Sequence, residues 1–230
     1  MKKLFLLLLT CCIITGFGAV QSVKADTLAL SLVLDGSGSI SSYNWTSQLQ
    51  AYADAITAVV PRDGTVALNI IQFSTSAVQE IGFTVIDTTT LSTFTNALLA
   101  ITQQNGSTNT SAGIDLAVST LTAFDTTDSF DRWVIDVSTD GQWNMGYNPY
   151  TAAVTAVDTY GVDAVNAIGI GTTTAFNYGT NSFALQADWN NFSDVLAEKL
   201  SREITATPEP ATMMLFGIGL LSLAGIRRKK

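Results

Sequence analysis

Residues 28–39, with the sequence LALSLVLDGSGS, decide the fold of this 230-residue chain. The first seven residues are almost continuously apolar, which is typical of a strand buried on both faces of a parallel sheet. An acidic residue, two serines and two glycines follow at once, so the strand ends in a polar loop. Ligands of open α/β sheets bind beyond the carboxyl ends of the strands. We therefore expect Asp35, Ser37 and Ser39 to lie at a ligand site.

Strands and helices alternate over residues 26–205, which we predict to be a single domain. A helix carrying Trp45 and Leu49 follows the first strand, and the turn after the next strand is so short that the third strand must be antiparallel. The predicted strands are 28–34, 66–73, 78–85, 133–137, 164–170 and a short edge strand at 183–186. Further helices are predicted at 91–101, 111–124 and 151–160, with a last helix that carries Phe192 and Leu200. This alternation indicates an α/β sheet with helices on both faces.

Residues 1–25 have the order of a secretory signal peptide. Two lysines come first, an apolar run follows, and small or branched residues precede Asp26. We expect signal peptidase to cleave between Ala25 and Asp26; an uncleaved anchor helix is the alternative. Both cysteines, Cys11 and Cys12, lie in this segment. Cleavage therefore leaves a domain without disulfide or thiol chemistry.

Residues 206–230 contain a second targeting segment. The tripeptide Pro208-Glu209-Pro210 precedes an uncharged, mostly apolar stretch at 211–226, and four basic residues end the chain. That stretch is marginal for a membrane span, which needs about 20 residues, and the basic tail fits the cytoplasmic side. A simple tail anchor is one interpretation. The three parts in this order also resemble the PEP-CTERM sorting signal. That resemblance implies recognition of the tripeptide by an exosortase-type protease, removal of the tail, and a protein on or outside the cell envelope.

Composition excludes several classes of function. The net charge of −8 argues against nucleic-acid partners, which select basic surfaces. The absence of histidine excludes Ser-His-Asp and Cys-His catalysis and any imidazole metal ligand. A phosphatase of the Asp-x-Asp type needs an acid at the position of Ser37, and a dinucleotide-binding loop needs glycine at the position of Ser41. We expect no enzymatic activity.

Two other loops carry oxygen donors at the same edge of the predicted sheet. Thr108 lies in the loop 106–110, before a helix, and Asp140 follows the fourth strand in Thr139-Asp140-Gly141. An all-oxygen set suits a hard cation, and a site with few charges and several hydroxyls suits Mg²⁺, with Mn²⁺ or Ca²⁺ as alternatives. Taken singly, these residues could also be helix caps or an ordinary turn.

Together, these three segments resemble the metal-ion-dependent adhesion site (MIDAS) of von Willebrand factor A (vWA) domains. The resemblance implies a doubly wound, Rossmann-like sheet of six strands in the order 3-2-1-4-5-6, with the third strand antiparallel. It also implies that Ser37, Ser39 and Thr108 are metal ligands, and that Asp35 and Asp140 act largely through metal-bound water.

The function that the resemblance implies is capture of an acidic group on a protein or extracellular-matrix partner. The alternative is a structural matrix component in which the metal only stabilises the fold. Two features remain open in the sequence. Asp136 lies within an apolar strand and needs an unidentified partner. Trp143, Tyr147 and Tyr150 could contact a ligand or could pack over the edge of the sheet.

Overall fold

Seven strands form one sheet at the centre of the computed structural model, which describes residues 26–127 and 129–205. The strands in chain order are β1 (Leu28–Asp35), β2 (Asp63–Phe73), β3 (Ala77–Asp87), β4 (Arg132–Thr139), β5 (Ala164–Ile170), β6 (Tyr178–Gly179) and β7 (Ala184–Ala187). The helices of the described residues are α1 (Ser42–Val59), α2 (Leu91–Leu99), α3 (Thr110–Phe124), α4 (Pro149–Tyr160) and α5 (Phe192–Thr205).

The order of the strands is β3-β2-β1-β4-β5-β6, with β7 also paired to β5. β1 is parallel to both β2 and β4, and β4 is parallel to β5, whereas β3 runs antiparallel to β2. The strand order and the antiparallel third strand are therefore confirmed. All eight residues of β1 are buried, which explains its continuous apolar sequence.

Two short strands share the outer edge of β5. β6 pairs antiparallel with Ala164 and Val165, and β7 pairs parallel with residues 167–170 of β5. The predicted edge strand at 183–186 corresponds to β7, but β6 was not predicted. Gly179 in β6 has a φ of +108°, and a Cβ there would lie 2.3 Å from the carbonyl oxygen of Asp163. Only glycine fits this close approach.

The two faces of the sheet bury separate apolar cores. Successive side chains of a strand point to opposite faces, so Leu30 and Leu32 pack towards α1, α2 and α5, whereas Ala29 and Val33 pack towards α3 and α4. Helices therefore cover both faces, as the alternating pattern predicts.

Arg132 holds the first and last described segments together at the amino end of β4. Its Nε donates to Asp26 Oδ2 at 2.6 Å, and its Nη1 donates to the carbonyl oxygen of Glu203 at 3.1 Å.

None of the helices within 26–127 and 129–205 is both long and apolar enough to span a membrane. The predicted signal peptide, the tripeptide at 208–210 and the apolar stretch at 211–226 lie outside the described residues.

Candidate metal site

Asp35 is the last residue of β1, and its carboxylate is held by two neighbouring segments. Oδ1 accepts a hydrogen bond from the backbone N–H of Ser37 at 2.9 Å, and Oδ2 accepts one from the hydroxyl of Thr139 at 2.6 Å. Gln48 of α1 donates to the backbone carbonyl of Asp35 at 3.2 Å. The carboxylate is fully buried and fixed in position.

The two serines connect this carboxylate to the loop after β4. The hydroxyl oxygens of Ser37 and Ser39 lie 3.0 Å apart, and Ser39 Oγ donates to Asp140 Oδ1 at 2.7 Å. Parallel β1 and β4 end side by side in the sheet, so their carboxyl-end loops meet. The structure therefore brings Asp35, Ser37, Ser39 and Asp140 into one hydrogen-bonded network.

Thr108 lies in a loop that joins both of the others. The N–H of Gly38 donates to the carbonyl of Gly106 at 2.9 Å. The N–H of Thr108 donates to Asn144 Oδ1 at 2.9 Å, and the N–H of Asn144 returns a bond to the carbonyl of Thr108 at 3.0 Å. Thr108 is thereby placed on the loop that borders the network, although the hydrogen bonds of that network do not run through its side chain.

Other residues cap the helices that follow these loops. The side chain of Ser41 accepts from the N–H of Asn44 at the start of α1, and the side chain of Asn109 accepts from the N–H of Ala112 at the start of α3. Both are typical N-cap contacts. Asp35, Ser39 and Thr108 are therefore not needed as helix caps, which was the simplest alternative explanation for them.

The network is negatively charged and lacks a nearby basic side chain. Burial raises the pKa of Asp35, and the charge of Asp140 raises it further, although hydrogen bonds from Ser37 and Thr139 oppose this; burial also raises the pKa of Asp140. The four basic residues of the described ranges have contacts elsewhere: Arg62 with Thr57, Arg132 with Asp26, Lys199 with Asp136, and Arg202 with the ring of Phe183. A bound cation would balance the two carboxylates.

The donor set fits a hard divalent cation. Within the described residues, no three His, Cys, Asp or Glu side chains gather in one place, so a metal here must use hydroxyl oxygens as well as carboxylates. Ser37, Ser39 and Thr108 with Asp35 and Asp140 supply oxygen alone, as Mg²⁺ prefers. When bound, the metal would supply positive charge that attracts an anionic group.

Three amide side chains position these loops, and none of them was predicted from the sequence. Gln103 Nε2 donates to the carbonyls of Ser37 at 3.0 Å and Ile40 at 2.9 Å, while Gln48 and Asn144 make the bonds described above. Gln48 could have been found, because it is a polar residue on the buried stripe of α1 beside Leu49. The partners of Gln103 and Asn144 depend on loop conformation, which periodicity does not reveal.

A neutral groove of about 590 Å³ lies beside the network and is lined in part by Gly141, the residue after Asp140. Trp143, Tyr150 and Phe176 contribute aromatic surface to this groove, and no charged residue lines it. Trp143 and Tyr150 are 43% and 44% exposed. Trp143 and Tyr150 therefore face this groove, and the rings of Tyr150 and Tyr178 also pack 5.8 Å apart. Tyr147 lies outside the groove, and its hydroxyl donates to Asp115 Oδ1 at 2.7 Å.

This sheet order, with oxygen-rich loops at the carboxyl ends of its central strands, defines a vWA-like α/β domain. The chain belongs to the family described as protein of unknown function DUF1194, which matches residues 25–208. Residues 206–229 match the PEP-CTERM protein-sorting motif, so the sorting signal is confirmed. This motif marks the chain for export, for anchoring through its C-terminus and for processing by an exosortase. No curated protein sequence matches the chain.

Solved structures of vWA-domain proteins share the fold. Proximal thread matrix protein 1 (PTMP1) from the mussel byssus, with a zinc-occupied MIDAS motif, has a TM-score of 0.61 and 17% identity, covering 78% of this chain and 46% of that one. The chain thus spans about half the length of PTMP1. An aerotolerance-related membrane protein from Bacteroides fragilis has a TM-score of 0.58 and 17% identity, covering 78% of this chain and 100% of that one. The pilus adhesin SpaC from Lactobacillus rhamnosus GG has a TM-score of 0.59 and 16% identity, covering 80% of this chain and 30% of that one.

Proposed function

We propose that this chain is an exported binding protein without catalytic activity, which uses a Mg²⁺ ion at the network to capture a carboxylate of a protein or matrix partner. The observation that carries the proposal is the pairing of two carboxylates with hydroxyls at adjacent strand ends: Asp140 accepts from Ser39, and Asp35 accepts from Thr139. The helices that follow these loops have other caps, Ser41 and Asn109. Mg²⁺ keeps some water when it binds proteins, so a coordination position remains for an acidic group.

The groove beside Gly141 supports partner capture. A partner with a carboxylate on the metal would place its neighbouring residues against Trp143 and Tyr150, whose exposed rings supply apolar contact area. The metal also explains how an acidic domain takes an acidic ligand. Residues 26–207 hold 18 acidic and 4 basic residues, so a carboxylate would otherwise be repelled.

Calorimetric titration with Mg²⁺ and Mn²⁺ tests the metal. The wild-type protein is expected to bind both ions, and Ser39→Ala to bind them more weakly. Ser92→Ala is the matched control, because Ser92 is an exposed serine on α2, away from the site. The absence of metal binding by the wild type would overturn the proposal.

The structural alternative, in which the metal only stabilises the fold, makes a different prediction for binding. A pulldown from the extracellular matrix of the producing organism, with and without chelator, should capture a partner only when metal is present. Loss of that capture in Ser39→Ala, at an unchanged melting temperature, would reject the structural alternative. Equal capture by wild type, Ser39→Ala and chelated protein would favour it.

A further inference from the structure

A second polar cluster lies inside the core, on the opposite side of β4 from α3 and α4. Nζ of Lys199, on α5, is in direct contact with Oδ1 of Asp136, on β4. Both side chains are fully buried. Asp136 is the acidic residue that interrupts an apolar strand, and Lys199 is the partner that the sequence did not identify.

A second carboxyl group completes the cluster. Glu203 lies one turn after Lys199 on α5, and its Oε1 is 3.1 Å from Nζ. The side-chain amide of Asn166, on β5, donates to the same oxygen at 2.9 Å. Two acids therefore contact one amine at a place that excludes solvent.

Ordinary ion pairing accounts poorly for this arrangement. Among the described residues, no donor makes a hydrogen bond of normal geometry to either carboxylate oxygen of Asp136, and Glu203 Oε2 also lacks one. A buried ion pair without further hydrogen bonds is a poor stabiliser, because desolvation penalises both charges. Burial and the nearby Asp136 raise the pKa of Glu203 to about 8, although Lys199 opposes this, so its carboxyl group holds a proton at neutral pH.

We propose that Lys199 and Asp136 condense into an internal amide bond that joins α5 to β4, with Glu203 as the proton carrier. Transfer of a proton from the ammonium to the carboxylate of the pair gives a neutral amine and a carboxylic acid, the forms that a dry interior favours. The amine then attacks Cγ of Asp136, as desolvated lysines attack carbonyl carbons elsewhere.

The atoms of this step balance without another reactant. The bond from Nζ to Cγ forms, and the bond from Cγ to one oxygen breaks. Glu203, which starts protonated, delivers its proton to the departing oxygen, which leaves as water, and then takes a proton from the nitrogen. Glu203 ends as it began. The cross-link would close the chain between residues 136 and 199, in a domain that contains no cysteine, since both cysteines of the chain lie in the predicted signal peptide.

Peptide mapping of the full chain, isolated in whatever processed form the host exports, tests the bond. Trypsin cuts after Arg132, Lys199 and Arg202, so an unlinked chain yields the fragment 133–199. An amide on Lys199 blocks cleavage there. The expected product is the fragment 133–202, lighter than its sequence by one water, and a second digestion at aromatic residues should give a branched peptide.

Matched variants assign the roles. Glu203→Gln should yield the ordinary fragment 133–199 at full mass, and Glu198→Gln, which alters an exposed carboxyl on the same helix, should keep the linked fragment. Lys199→Arg keeps the charge but removes the amine, so it cannot form the cross-link. Because its denatured chain is not closed between residues 136 and 199, it should migrate more slowly than wild type on a denaturing gel. The fragment 133–199 at full mass from folded wild type would overturn the cross-link. A linked fragment from Glu203→Gln would overturn the role of Glu203.

Discussion

Replacing Asp35 with asparagine should separate metal binding from folding. The new side chain would be isosteric, and its oxygen could still accept from the N–H of Ser37. Its amide could donate to the hydroxyl of Thr139, which would turn to donate to the carbonyl of Gly141, 3.1 Å away. The variant loses a buried carboxylate. Both burial and the charge of Asp140 raise the pKa of that carboxyl group in the wild type. The metal-free Asp35→Asn protein should therefore be at least as stable as the metal-free wild type.

The response to metal gives the size of the effect. A ligand at 100 times its Kd stabilises a folded protein by about 2.7 kcal/mol. For a domain of this size each kcal/mol raises the melting temperature by about 2–4 °C, so wild type should gain roughly 5–11 °C. Asp35→Asn should gain almost nothing, because a neutral amide is a weak partner for the cation. Differential scanning calorimetry with and without Mg²⁺ measures both quantities.

Asp54→Asn is the control, because it alters an exposed carboxyl on α1 that accepts a side-chain bond from Gln50. It should show the full metal response. Two results would refute the reasoning. An unchanged metal response in Asp35→Asn would remove Asp35 from the metal site, and a loss of metal-free stability above about 1 kcal/mol would show that the hydrogen bonds are not retained.

Three further predictions concern other parts of the molecule. In protein that has not formed the cross-link, the pKa of Glu203 is raised to about 8, so its contribution to the free energy of unfolding should be complete below about pH 4.5 and be lost as the pH rises through about 8; chemical denaturation across this range should show a free energy of unfolding that falls less steeply with pH in Glu203→Gln. Asp125 accepts from the N–H groups of Ser129 and Phe130 and from the indole of Trp133, so Asp125→Ala should lower the free energy of unfolding by about 2–4 kcal/mol in urea, and a loss below about 1 kcal/mol would contradict this. Mass spectrometry of the exported chain should find an end near residue 208, and an intact C-terminal lysine at 230 would contradict processing.

The fold was predictable because its main elements carry strong local signals. The apolar run of β1 and the spacing of Trp45 and Leu49 on α1 follow directly from burial on one or two faces. β6 was missed because two residues show no periodicity. β2 begins at Asp63, three residues before its apolar run, because Asp63 pairs with Asp87 of β3.

The site was partly predictable for a similar reason. The oxygen-rich loops follow predicted strands, so topology alone places Asp35 and Asp140 at one edge of the sheet. What periodicity could not supply is long-range side-chain pairing. The contact of Asp136 with Lys199 joins residues far apart in the chain, and neither position signals the other.

Arg132 binds Asp26 and the carbonyl of Glu203 at the amino end of β4, and we call these contacts the Arg132 clamp. The position of this clamp bears on the orientation of the domain. Arg132 begins β4 and Thr139 ends it, and strands rise about 3.3 Å per residue, so roughly 23 Å separates the clamp from the candidate metal site. Asp26 and the end of α5 both meet the clamp. The candidate metal loops therefore lie at the opposite end of β4 from the last described residues of α5, so a domain held through its C-terminal side would have these loops at its far end.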